Sequence, residues 1–158
     1  TASIGRRNIK VYGRIYMLHL EFNSESENEG IARVVTSAYI MRFDPDMEEM
    51  EDIKTAVSEA VTNCIVHAYS DENGKIEMDI SDKENVVKIE ITDHGVGIPD
   101  VKKAMEPMYT TKPEEERTGM GFSFMEAFMD EVQVRSKENE GTRVVMTKKI
   151  GEKNHLNG

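Results

Sequence analysis

Five short segments in which apolar and polar residues alternate constrain the fold more than any other feature of this 158-residue chain. Alternation with a period of two is typical of a strand that buries one face. Strands with a polar second face can leave that face in water, which favours antiparallel over parallel pairing. The sequence therefore predicts a mostly antiparallel sheet. Its strands are MLHLEFNS, KIEMDIS, VVKIEIT, VQVRSK and TRVVMTKK.

Two longer segments have helical periodicity. Residues 26–43 are predicted to form a helix with Ser24 or Ser26 as its N-cap. The pair Asp44-Pro45 predicts the end of this helix, because proline disfavours helix in the residue before it. Residues 45–69 place apolar side chains three and four positions apart, which indicates one buried helix face. With shorter helices predicted near residues 101 and 122, the fold class is α+β: a two-layer sandwich with helices on one face of the sheet.

Composition excludes several classes of protein. The chain has 20 Lys and Arg against 30 Asp and Glu, a net charge of −10, and no basic stripe, which argues against direct binding of nucleic acid. Cys64 is the single cysteine, so neither a disulfide framework nor a thiolate metal site is expected. No apolar run approaches the roughly 18 residues of a membrane helix. A cytoplasmic protein without membrane contact is the expectation.

The chain divides into one domain and two flanking segments. Residues 1–16 carry four basic and no acidic residues, unlike the rest, and are expected to be an added remnant or an extension. Residues 17–150 form the predicted domain, since about 130 residues are enough for one hydrophobic core. Residues 151–158 are expected to be a flexible tail.

A polar row on the long helix is the first candidate for chemistry. Glu59, Asn63 and His67 are spaced four apart and therefore share one helix face. A solvated surface is one interpretation, but the row lies beside the apolar stripe, where polar groups are costly unless they are paired or bind a ligand. An acid one turn before an amide also suits Mg²⁺: the amide oxygen binds the ion, and the carboxylate binds a water or acts as a base.

The segment DHGVGIP, residues 93–99, is the second candidate. Asp and Gly are common in turns, so a turn after the strand is the simple interpretation. Asp93 at a strand end can also present a carboxylate to an exocyclic amine, and Gly95 and Gly97 would let the backbone approach a planar ligand. The spacing matches neither the dinucleotide-binding nor the P-loop glycine pattern.

The third candidate is TGMGF, residues 118–122, before a predicted helix. Gly119 and Gly121 would expose backbone N–H groups at the positive end of the helix dipole, where phosphate binds well. The preceding residues 107–117 have no clear periodicity and hold hydroxyl and basic side chains. Loops of this length are often active-site lids, although a surface loop is the alternative.

These motifs, in this order, resemble those of a known protein family. SEAVTNCIVHAY, DHGVGIPD, PMYTTKPEEERTGMGF and FMDEVQVRS together resemble the GHKL (Bergerat fold) superfamily of ATPases and kinases. Within it, the chain looks like the anti-sigma serine kinases of sporulating bacilli over about residues 17–148, with the sigma-B type as an alternative. The resemblance implies the GHKL sandwich and ATP or ADP with Mg²⁺ as cofactors.

The resemblance also implies a role for each motif residue. Glu59 would be the catalytic base that takes the proton of the attacking serine hydroxyl, and Asn63 would hold Mg²⁺. Asp93 would bind the adenine amine, with Gly95 and Gly97 shaping that wall of the site.

The resemblance also implies which residues would bind the phosphates of the nucleotide. Gly119 and Gly121 would contact phosphates through backbone N–H groups, and Arg117 would lie near the γ-phosphate. Thr110 and Lys112 would belong to the nucleotide-binding loop.

The resemblance implies roles for two further residues. Thr142 would support the adenine side, and Arg33 would contact the protein partners. One departure concerns Ala68 after His67, where the family usually has glycine; a positive φ there would cost about 1 kcal/mol or more.

The implied activity is ATP-dependent phosphorylation of a serine. The chain would bind a sporulation sigma factor, phosphorylate its anti-anti-sigma partner and form a homodimer. The alternatives are a GHKL ATP-binding module or a histidine-kinase catalytic domain without serine kinase activity.

Overall fold

A five-stranded sheet organises the part of the chain that the computed structural model describes, residues 17–70, 73–106 and 121–151. The strand order is β1-β2-β3-β5-β4, and all four pairings are antiparallel. The prediction of an antiparallel sheet in an α+β fold is confirmed. The strands are β1 (Met17–Asn23), β2 (Lys75–Lys83), β3 (Val86–Asp93), β4 (Glu131–Lys137) and β5 (Gly141–Lys149).

The helices are built from the remaining periodic segments. They are α1 (Glu27–Ile40), α2 (Met47–Asn63), α3 (Val101–Ala104) and α4 (Gly121–Phe128). A 3₁₀ turn, Met41–Phe43, follows α1, and a π-helical turn, Cys64–Ala68, continues α2. No helix in these ranges is long and apolar enough to cross a membrane.

The strand register puts the apolar side chains on one face. Met78, Ile91 and Val144 are neighbours across β2, β3 and β5, and Leu20 and Val134 extend the same row to the two edge strands. The three central members are buried. Burial of such rows against the helices is the main stabilising contribution to the fold.

Helix α2 provides the other half of the core. Ile53, Val57, Ala60 and Val61 are at most 1% exposed, as their spacing predicts. The helix begins with a capping box: Asp46 accepts a hydrogen bond from the Glu49 backbone N–H at 2.7 Å, and Glu49 accepts one from the Asp46 N–H at 3.0 Å. Two otherwise unpaired donors of the first turn are thereby satisfied.

Helix α1 starts directly after Ser26, one of the two predicted N-cap residues. Ser26 precedes the helix but makes no capping hydrogen bond through its side chain. Ser24 exchanges hydrogen bonds with Gly74 across the end of the β1–β2 pair, through its backbone N–H and its hydroxyl, both at 2.8 Å. The stop after α1 is where it was predicted: Asp44 has a φ of 49°, which helices do not continue.

The β2–β3 connection is shorter than the DKEN loop that the sequence suggests. Both strands extend further, and the turn consists of Glu84 and Asn85, with φ values of 52° and 63°. Two successive residues with positive φ are typical of the type I′ turn, whose twist matches that of the paired strands.

Candidate nucleotide-binding site

A cavity of about 410 Å³ lies at the end of the sheet where β3 finishes and β5 begins. The end of α2 with its π turn, the loop after β3, the start of α4 and the β4–β5 turn all line it. Most of the wall is apolar, and the side chains that supply this surface include Ala60, Val96, Ile98, Pro99, Phe122 and Val144. Its size and character fit one small, flat organic ligand.

Asp93 supplies a buried carboxylate to this cavity. Its side chain is 4% exposed, and Oδ1 accepts hydrogen bonds from the backbone N–H groups of Gly95 at 3.0 Å and Thr142 at 3.2 Å. Burial raises the pKa of Asp93 above its ordinary value, and these N–H groups and the Cys64 thiol oppose the increase. Since both backbone bonds meet Oδ1, the second carboxylate oxygen is left for other donors.

The two glycines after Asp93 have a packing requirement of their own, apart from the ligand contact predicted for them. A Cβ on Gly95 would lie 2.2 Å from the carbonyl oxygen of Ala68, and one on Gly97 would lie 2.2 Å from that of Lys137. Gly97 also has a φ of 74°. Both positions therefore need glycine because other backbone segments pack there, and Gly97 in addition lines the cavity.

Ser136 was not singled out from the sequence, yet its hydroxyl joins three segments at the cavity wall. It accepts a hydrogen bond from the Ile98 N–H at 2.7 Å, donates to the Gly141 carbonyl at 3.0 Å and lies 2.8 Å from Thr142 Oγ1. Because its single proton goes to Gly141, the Thr142 hydroxyl donates to Ser136. The lone pairs of Thr142 Oγ1 thus remain available to a ligand.

The π turn places the polar row of α2 differently from a continuous helix. Asn63 and His67 line the cavity, whereas Glu59, one turn earlier, is not among the described residues of its wall. The Tyr69 N–H bonds to the Cys64 carbonyl at 3.2 Å, five residues back, which is the π-helical spacing. Ala68 is not among the positive-φ residues, so alanine after His67 carries no backbone penalty.

Tyr69 fixes the end of this turn, a role the sequence did not reveal. Its hydroxyl donates to the Lys75 carbonyl and accepts from the His94 N–H at 2.7 Å. A Cβ on Gly74 would lie 2.1 Å from the Tyr69 ring, so the glycine makes room for it. These contacts hold the loop after Asp93 against the end of α2.

The remaining predicted residues fall into two groups. Gly121 is the first residue of α4 and lines the cavity, whereas Arg33 lies on α1 outside the cavity wall, 44% exposed and 3.8 Å from Glu29. The other positions lie outside the described residues: Thr110, Lys112, Arg117 and Gly119.

Taken together, the cavity suits a planar heterocycle with an exocyclic amine. Apolar walls would cover the faces of the ring, and the Asp93 carboxylate would accept from the amine. Asn63 on α2 lines the same cavity, and an amide oxygen is one of the ligand types that Mg²⁺ accepts.

Comparison with known proteins agrees with this geometry. A family model described as "Histidine kinase-like ATPase domain" matches residues 22–148. An anti-sigma F factor of Geobacillus kaustophilus is 49% identical over 140 residues, which cover 88% of this chain and 96% of that protein. An anti-sigma F factor of Caldanaerobacter subterraneus is 53% identical over 135 residues, 85% of this chain and 94% of that protein.

Two solved structures share the fold at low sequence identity. The RsbU and RsbW domains of Rv1364c from Mycobacterium tuberculosis superpose with a TM-score of 0.60 at 16% identity, covering 85% of this chain and 32% of that one. The catalytic domain of histidine kinase ThkA superposes with a TM-score of 0.53 at 20% identity, covering 84% and 96%. The fold is therefore the GHKL sandwich, and the chain belongs to the anti-sigma F factor family of histidine kinase-like ATPase domains.

Proposed function

We propose that the chain binds Mg-ATP in the cavity and transfers the γ-phosphoryl group to a serine of a small protein partner. The observation that carries the proposal is the buried Asp93 carboxylate, fixed by two backbone N–H groups inside an apolar cavity. A carboxylate buried in this way lowers stability unless a ligand uses it, and the amine of adenine is a suitable donor.

The residues of α2 would serve the reacting end of the nucleotide. Bound Mg²⁺ neutralises phosphate charge, and Asn63, in the cavity wall, is the residue proposed to hold it. Glu59, one turn before Asn63 on α2, is proposed to accept the proton of the serine hydroxyl. Thr110, Lys112, Arg117, Gly119 and Gly121 are proposed to contact the phosphates.

A second part of the proposal concerns protein partners. The curated relatives are named anti-sigma F factors, and we propose that this chain likewise binds a sigma factor in the cytoplasm. Arg33, together with the exposed Ile31 and Val34 on α1, would form part of that surface. The phosphorylated substrate would be an anti-anti-sigma protein, and the active form a homodimer.

The test of the kinase proposal is transfer of labelled γ-phosphate from Mg-ATP to a candidate anti-anti-sigma protein. We expect acid-stable label on the partner from the intact chain and at least about a 100-fold lower rate from Glu59→Gln, since general-base catalysis typically contributes that much. Glu51→Gln is the matched control: it is on the same helix, exposed and paired with Lys54, and should transfer at the unaltered rate.

Other outcomes would change the proposal. Acid-labile label would indicate phosphohistidine, as in a histidine-kinase catalytic domain, and release of inorganic phosphate alone would indicate an ATPase. Nucleotide binding without either product would leave an ATP-dependent binding module. Label that persists in Glu59→Gln would retain the kinase but contradict the role of Glu59.

A further inference from the structure

A cluster of histidine and carboxylate side chains lies on the polar face of the sheet, opposite the core. His19 Nε2 is 3.0 Å from Glu21 Oε1, and ligand atoms of His19, Glu21 and Glu77 all lie within 4.8 Å of one another. Two ligands of one tetrahedral zinc ion, each about 2.0–2.2 Å from it, are separated by about 3.4 Å. The His19–Glu21 spacing is close to that distance, and rotation of the exposed side chains would bring the Glu77 oxygen, already within 4.8 Å of both atoms, to the same separation.

The backbone fixes these positions. His19 and Glu21 are two residues apart on β1 and share a face, and Glu77 is the direct cross-strand partner of Glu21 on β2. Two carboxylates directly opposite each other in a sheet repel and are destabilising without a cation between them. The scaffold thus holds a pair of negative groups and an imidazole together on two regular strands.

Each end of the cluster has an orienting partner. Asp79 Oδ1 lies 2.6 Å from His19 Nδ1, the nitrogen on the far side from Glu21. His94 Nε2 lies 3.0 Å from Glu77 Oε2. A carboxylate on the second ring nitrogen of a ligating histidine fixes its tautomer and strengthens it as a ligand. This arrangement leaves Nε2 to face the two glutamates.

The ammonium group of Lys75 lies between the two glutamates, at a position that favours a cation. Its Nζ is 3.6 Å from Glu21 Oε2 and 3.8 Å from Glu77 Oε1, so one ammonium serves both carboxylates. The Lys75 side chain is 52% exposed and has room to swing into solvent.

We propose that His19, Glu21 and Glu77 bind a divalent transition metal ion of the zinc type, displacing the Lys75 ammonium. One imidazole and two carboxylates suit such ions better than Mg²⁺, which prefers oxygen ligands alone. Three protein ligands leave one position for water. The bound ion joins the edge strand β1 to β2, and the site is independent of the nucleotide cavity on the other face.

The test is titration of the nucleotide-free full chain with Zn²⁺ in competition with a chromophoric chelator. We expect one equivalent of Zn²⁺ to bind. His19→Gln should weaken binding at least about tenfold, because losing even a residue that only supports a metal ligand typically costs that much. Asp79→Asn should weaken binding about 10- to 100-fold by the same rule. The matched control is His155→Gln, outside the described residues, which should leave affinity unchanged.

Lys75→Met is expected to change Zn²⁺ affinity in the opposite direction. Removing the competing ammonium should strengthen Zn²⁺ binding. A purely electrostatic cluster would gain affinity equally for Mg²⁺, so both ions are titrated, and the gain should be larger for Zn²⁺. Failure to bind Zn²⁺, equal affinity of the intact chain and His19→Gln, or unchanged affinity in Lys75→Met would each overturn the site. Circular dichroism of each variant confirms that the strands are intact.

Discussion

At the scale of single residues, the burial of Asp93 is unfavourable for its charged form, a cost that the proposed binding role would explain. Burial disfavours its charged form, so its pKa is raised in the folded state, despite the N–H groups of Gly95 and Thr142. A carboxyl group with a raised folded pKa contributes most to stability below its ordinary pKa of 3.8. That contribution is lost as the pH rises through the folded pKa.

Asp93→Asn is therefore expected to weaken ATP binding without lowering stability at neutral pH. At pH 7 its free energy of unfolding should equal or exceed that of the intact chain, and the difference should shrink toward pH 3, where Asp93 is protonated. ATP affinity should fall at least about tenfold, since an amide NH₂ facing the adenine amine leaves buried donors unpaired. Urea denaturation at several pH values and calorimetric titration with ATP measure the two effects.

Asp79→Asn is the control for this substitution, because Asp79 lies on the opposite face of the sheet, outside the cavity wall. It should leave Mg-ATP affinity unchanged in zinc-free buffer. A marked loss of stability at pH 7 in Asp93→Asn would show that the carboxylate is a net stabilising group and would contradict the interpretation of its burial.

Residues also differ in whether the sequence alone indicates their structural role. Asp93 could be proposed because it follows an alternating strand and precedes two glycines. Ser136 and Tyr69 could not, because their contacts join segments 38 and 25 residues away, at Ile98 and His94. A side-chain hydroxyl has no local pattern that indicates which distant N–H group it will meet.

At the scale of elements, α2 positions the cavity through its two ends. The capping box of Asp46 and Glu49 starts it, and Glu49, 4% exposed, also accepts from the Gly151 N–H at 3.0 Å. At the other end the π turn brings Asn63 and His67 to the cavity. The apolar period predicted the helix, but the π turn packs Ala68 against Gly95, a contact between distant segments that no local pattern encodes.

Asp46→Ala is expected to lower the free energy of unfolding by about 1 kcal/mol, the usual cost of losing an N-cap side chain. The Glu49 N–H would lose its acceptor, while the cavity residues would keep their contacts. Asp46→Ser retains a capping oxygen and should lower the free energy of unfolding by less than half as much. Urea denaturation of the three proteins checks the order, and equal stability of the Ala and Ser variants would contradict the capping role.

At the scale of the whole molecule, the cavity exists only when distant segments meet. Asn63 on α2, Asp93 at the end of β3, Phe122 on α4 and Thr142 on β5 line it together, and their sequence separation means that an unfolded chain has no equivalent site. A ligand of this cavity therefore binds the folded state alone. Its binding free energy adds to the stability of the fold.

Mg-ATP should consequently raise the free energy of unfolding by about 2.7 kcal/mol when its free concentration is 100 times Kd. Thermal unfolding followed over a range of nucleotide concentrations measures this increase. GTP is the informative comparison, because it presents a carbonyl oxygen where adenine has its amine and would face the Asp93 carboxylate with no proton to share. At equal concentration GTP should therefore stabilise the chain less than ATP, and Asp93→Asn should reduce the stabilisation by ATP. Equal stabilisation by both nucleotides would show that the carboxylate does not select the base, and the adenine assignment of the cavity would have to be abandoned.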